Sequence, residues 1–171
     1  MASSRFLISS QTLGSSAASV TFSSIPATYT DLVLRISARS STTGDSMTMT
    51  FNSVSGTSYS RTRLSGNGAT ASSSRASSGA NIGMAFASES SATTANTFSN
   101  VEIYVPSYTA SQNKPLSVFS ANEDNTTTAY LASIAGLFSN TSAITSIDIN
   151  ADSGANFVAG SSFYLYGLKN S

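Results

Sequence analysis

The sequence predicts an all-β protein of the sandwich or barrel type, in one domain over residues 1–171. Three observations predict it. Apolar residues alternate with polar ones at a period of two in segment after segment, the mark of half-buried strands. These segments are short and evenly spaced, with Gly, Asn, Asp and Ser between them. No segment carries a convincing 3.6-residue apolar period.

In chain order, the strands begin with RFLIS at 5–9 and SVTFS at 19–23. DLVLRISAR, 31–39, sets Leu32, Leu34, Ile36 and Ala38 against Arg35, Ser37 and Arg39, with Val33 out of pattern. SMTMTF, 46–51, sets Met47, Met49 and Phe51 against Thr48 and Thr50. YSRTRLS at 59–65 and NIGMAFA at 81–87 follow. VEIYV, 101–105, sets Val101, Ile103 and Val105 against Glu102 and Tyr104. PLSVFSA at 115–121, AYLASIAGLF at 129–138, ITSIDI at 144–149 and the C-terminal SSFYLYGLKNS complete about ten short strands, the count expected of a sandwich. AYLASIAGLF is the one candidate for a helix, but its length and Gly136 favour a strand. GNGATASSSRASSGA, 66–80, is polar and of low complexity, and is expected to be a long exposed loop. Pro106 and Pro115 flank SYTASQNK and fit strand limits.

Composition excludes much chemistry. The chain has no Cys, no His and no Trp. Disulfides and thiolate metal sites are therefore ruled out, and the commonest general base and zinc ligand is missing. Eight basic residues balance eight acidic ones, so there is no electrostatic footprint for nucleic acid or an anionic membrane surface. Ser and Thr make up roughly a third of the chain, and hydroxyls take the place of charge at its surface. Low charge favours self-association. The N-terminus lacks the apolar core of a secretory signal, and no apolar run is long enough to span a bilayer as a helix. The sequons at Asn125 and Asn140 are chance matches in so Ser/Thr-rich a chain.

Candidate catalytic motifs fail on context. Ser111-Gln112-Asn113-Lys114 matches S-x-x-K, but that motif needs a helix, and Pro115 follows at once. Glu123-Asp124 sit together in a loop and Glu102 points out from a strand, without the aromatic platforms of a glycosidase cleft. ANEDNTT, 121–127, and NADSGANF, 150–157, offer oxygen ligands without EF-hand spacing, and local Asx-turns account for them. No cofactor and no metal is expected. Tyr59, Arg61 and Arg63 share one strand face, as a subunit-contact candidate or as a solvated or cross-strand-paired face. The last strand is bulky on both faces, with Phe163, Leu165 and Gly167 on one and Tyr164, Tyr166 and Leu168 on the other. The second face is either a subunit contact or an internal surface.

Several stretches together carry a resemblance: VTFSSIPATYTDLVLRISARSS (20–41), TFSNVEIYVPSYTASQNKPLSVFSANE (97–123), LFSNTSAITSIDI (137–149) and DSGANFVAGSSFYLYGLKNS (152–171). With Tyr29 to Leu32, Ala143 to Ile147 and Phe157 to Gly167 as its motifs, the chain resembles a family of small virion structural proteins of tailed bacteriophages. The resemblance leaves out the middle, roughly 52–96. It implies a jelly-roll-like β-sandwich without catalytic residues. It further implies a capsid decoration (cement) protein on the capsid exterior, made in the bacterial host cytoplasm. Such a protein would be a homo-oligomer, a trimer, bound to the major capsid protein. The alternative it implies is a tail-associated fibre or receptor-binding domain that recognises host glycan. Periodicity from residue 5 to the C-terminal strand, with no shaft or attachment domain expected, favours the shell over a fibre.

Overall fold

The computed structural model describes residues 4–42, 46–84, 94–123, 129–152 and 154–169. Among these residues there is no helix, and every strand pairing is antiparallel. The strands are β1 (Ser4–Thr12), β2 (Ser19–Phe22), β3 (Asp31–Ala38), β4 (Met47–Phe51), β5 (Tyr59–Gly66) and β6 (Ala71–Gly79), followed by β7 (Ile82–Met84), β8 (Ser99–Val105), β9 (Lys114–Asn122), β10 (Tyr130–Phe138), β11 (Ile147–Ala151) and β12 (Ser162–Lys169). An eight-stranded sheet runs β1-β12-β3-β8-β9-β10-β5-β6, and a four-stranded sheet runs β2-β11-β4-β7.

The connectivity has a simple logic. Without the hairpins β5–β6 and β9–β10, eight strands remain, in the orders β1-β12-β3-β8 and β2-β11-β4-β7. The chain crosses between the sheets at each step except β4 to β7. The two hairpins then widen the larger sheet on its β8 side.

The alternation read from sequence is what closes the sandwich. Leu32, Leu34 and Ile36 of β3, Val101, Ile103 and Val105 of β8, and Phe163 and Leu165 of β12 form the inner face of the large sheet. They share one core with Met47, Met49 and Phe51 of β4, Ile147 and Ile149 of β11, and Val20 and Phe22 of β2. Phe51 meets Phe138 at 5.3 Å between ring centres, and Tyr59 stacks on Phe138 at 5.0 Å. The Tyr59 hydroxyl accepts from the Phe51 N–H at 2.9 Å and donates to the Val54 carbonyl at 3.0 Å, so one side chain ties the turn after β4 to the large sheet.

Four expectations need correction. Residues 66–80 are not a long loop: a short turn around Asn67 leads into β6, which pairs with β5 from Ala71 to Gly79. The Asn67 carboxamide oxygen accepts from the Ala69 and Thr70 N–H groups, fixing that turn. Composition hid β6 because its only apolar residues, Ala71 and Ala76, are too small and too few for periodicity to register. Arg39 is not an outward residue of β3. It lies past the strand end, is buried, and its Nη1 donates to the Thr94 and Thr97 carbonyls at 2.8 and 3.0 Å. Tyr59 is 1% exposed and belongs to the core, so it is unavailable as a surface contact. Arg61 shares its inward face: its guanidinium packs against β7, where a Cβ on Gly83 would lie 2.1 Å from Nη1. Residues 85–87 of the expected strand NIGMAFA, and Asp124 to Thr127 of the acidic loop, lie outside the described residues.

Candidate interaction surface

Lys114, from the S-x-x-K match, has a structural role. Lys114 is fully buried, and its ammonium donates to the Ala110 carbonyl at 2.7 Å, to the Gln112 carbonyl, and to the Asn140 carbonyl at 3.4 Å. It staples the loop before β9, while Ser111 is exposed. Burial lowers the Lys114 pKa from its ordinary value. Asp31, also buried, accepts from the Tyr104 hydroxyl and the Ser107 N–H, both at 2.9 Å. Among the described residues no three His, Cys, Asp or Glu side chains converge as a metal site.

What the fold does present is the outer face of the eight-stranded sheet. The register sets out its rows. One runs Leu7, Tyr166, Val33, Tyr104, Ser117, Ala135, Thr62, Arg75 across all eight strands. The next runs Ser10, Tyr164, Arg35, Glu102, Phe119, Ser133, Leu64, Ser73. A charged pair divides this face: Arg35 Nε and Nη2 both lie 2.8 Å from Glu102 Oε2.

On one side of that pair lies the tyrosine region. Tyr164, Tyr166 and Leu168 are half-buried on the outer face of β12. Val33, flanked by Tyr166 and Tyr104, is only 2% exposed although it faces outward, which explains the break in the β3 pattern. Arg5 lies over the Tyr166 ring, 5.7 Å from its centre. β1 pairs beside β12 and is exposed along almost its whole length, so it lies at the edge of the sheet and does not cover this face. The inner side of β12 is packed tightly: a Cβ on Gly167 would lie 2.2 Å from the Tyr29 ring.

On the other side lies a surface the sequence reading missed. Phe119 is 51% exposed, Leu131 52% and Leu64 62%. Phe119 and Leu64 flank Ser133 in one row, and Leu131 is the next outward residue on β10. The signal was available: Phe119 directly follows inward Val118, and Leu131 precedes inward Ala132, the same two-sided bulk noted in the terminal strand. Arg61 and Arg63 do not join either region, because they point to the opposite face of β5. No protein-family model, curated protein or solved structure matches this chain.

Proposed function

We propose that this protein is a structural component of a tailed-phage virion, a capsid decoration or cement protein that bridges capsid subunits. The observation that carries the reading is the outer face of the large sheet, where half-buried Tyr164, Tyr166 and Leu168 stand on one side and Phe119, Leu131 and Leu64, each about half exposed or more, on the other, on a chain with no net charge. Such a face suits burial against another protein better than it suits water. The structural hydrogen bonds of Lys114 and Asp31, on a chain without His or Cys, fit a role in assembly. The eight-strand crossing pattern supports a jelly roll with two added hairpins. The mechanism is physical. Each bound copy stabilises the shell by mass action, and a trimer seated over a junction multiplies weak contacts through avidity. Quantitative mass spectrometry of purified particles tests the reading: hundreds of copies per virion support a shell protein, whereas about a dozen place it in the tail and reject the proposal.

One observation favours the tail-associated alternative. A cavity of about 390 Å³ opens between the β5–β6 turn and the ends of β9 and β10, lined by Gly66, Gly68, Ala121, Asn122, Tyr130 and Leu131. The Asn122 carboxamide oxygen is buried there without a hydrogen-bond partner. An apolar wall beside an aromatic ring and an amide suits a sugar ring. Binding on a glycan array that Asn122→Ala abolishes would favour this reading; no binding would remove it.

A further inference from the structure

We infer that the apolar half of the outer sheet face is a two-fold contact with a second copy of this chain, with its axis along β10. The residues are arranged symmetrically about that strand. Phe119 on β9 and Leu64 on β5 both stand beside Ser133 in the same row, and Leu131 lies on β10 itself. Turning a second copy over about β10 sets Phe119 on the partner's Leu64, Leu64 on the partner's Phe119 and Leu131 on the partner's Leu131. Isologous contacts demand this self-complementarity.

The charges obey the same axis. Between Glu102 on β8 and Arg75 on β6, each two strands from β10, the rows contain only Phe119, Ser133, Leu64, Ser117, Ala135 and Thr62. The two-fold brings Arg75 over Tyr104 of the partner subunit, within side-chain reach of Glu102 of the partner subunit. Cation and ring or carboxylate then meet at both rims, and no like charges oppose each other. Small residues at Ala121, Ser133 and Ala135 let two sheets approach to the usual separation of about 10 Å. Five strands about 4.8 Å apart and three rows about 6.8 Å apart cover roughly 490 Å² per partner. The total, about 1,000 Å², lies below the range of tight interfaces, so the association is weak and concentration-dependent. On a crowded shell, where copies sit side by side, a weak contact suffices. The inference stands without the virion reading, since it needs only this chain.

The test is sedimentation velocity up to about 1 mM, where so small an interface registers. Wild type should show a reversible association step. Leu131→Glu should remove it without lowering the melting temperature, because Leu131 is half exposed in the single chain. Arg75→Glu should weaken it several-fold. The chain has no native cysteine, so cross-linking is clean. A short bis-maleimide should join Ser133→Cys to itself, since Ser133 lies on the axis. Ser73→Cys, two strands away, should not join, because its own copy would stand about 19 Å to the side. No association in the wild type overturns the inference. So does association that survives Leu131→Glu, or equal cross-linking of Ser133→Cys and Ser73→Cys.

Discussion

At the scale of residues, two hydrogen-bonding side chains, Asn52 and Tyr59, tie separate segments together. Asn52 sits at a positive φ of 53°, and its carboxamide clasps the start of the β11 segment: Nδ2 donates to the Ala143 carbonyl at 2.8 Å, and Oδ1 accepts from the Thr145 and Ser146 N–H groups at 2.8 and 3.1 Å. Asn tolerates that backbone and completes the bonds at once. Tyr59 has a comparable role inside the core. Tyr59→Phe would leave the Phe51 N–H without its acceptor, at a cost of about 1–3 kcal/mol. Its pH signature is specific. Burial, the largest cause, raises the Tyr59 pKa, and it also raises that of Tyr108, whose hydroxyl donates to the Pro26 carbonyl. A raised folded pKa means the stabilisation is complete below the unfolded value of about 10 and is lost as pH rises through the folded value. Lys114, lowered by burial, works in the opposite sense, regaining stability as pH rises towards its unfolded value. Tyr104 is raised as well, by burial first and then by its hydrogen bond to Asp31. With three tyrosines against one lysine, stability should fall above about pH 10. Tyr59→Phe should be less stable at neutral pH yet lose less on alkalinisation. Urea melts at steps from pH 8 to about pH 11.5, which spans these transitions, check this; equal alkaline losses in both proteins would contradict it.

At the scale of elements, the strands that were legible are those whose inner face does the burying. β3, β4 and β8 read correctly because Leu34, Met49 and Ile103 must be inside and their neighbours need not be. β6 was illegible for the converse reason. Its residues, ASSSRASSG, bury nothing large, and the strand exists because β5 offers an edge for its backbone to pair with. A pairing that depends on a partner strand leaves no trace in local periodicity. The candidate site was half legible. Tyr164, Tyr166 and Leu168 stood out as bulk on a second face and do lie outward. Tyr59, Arg61 and Arg63 were correctly placed on one face, but that face turned out to be the inner one, because period two fixes which residues share a side and not which side is wet. The register of β3 yields a direct test. Leu34→Ala, at a site 2% exposed, should cost about 2–5 kcal/mol. Ser37→Ala, at an exposed site, should change stability by less than about 0.5 kcal/mol. Similar losses from the two in chemical denaturation would mean the strand is misregistered.

At the scale of the whole molecule, the question is whether both sides of β12 hold the chain together or only the inner one. Phe163 is fully buried and meets Phe157 edge-on at 5.1 Å, so Phe163→Asp places an unpaired charge in the core and should unfold the monomer. Tyr166→Asp should act differently. Tyr166 is half-buried, and Arg5 already lies over its ring, so a carboxylate there has a cation at hand. The main cost to the single chain is partial uncovering of Val33, about 1–2 kcal/mol. A domain of this size with ordinary stability of roughly 5–15 kcal/mol survives that. If the tyrosine region is the trimer contact, the variant keeps its circular dichroism but loses the trimer in sedimentation and no longer coats capsids, while the weaker two-fold step through Leu131 persists. The two interfaces are then separable, since Leu131→Glu should do the reverse. Unfolding of Tyr166→Asp to the same extent as Phe163→Asp would show that Tyr164, Tyr166 and Leu168 serve the packing of the single chain around Val33, and the trimer contact would have to be sought elsewhere on the molecule.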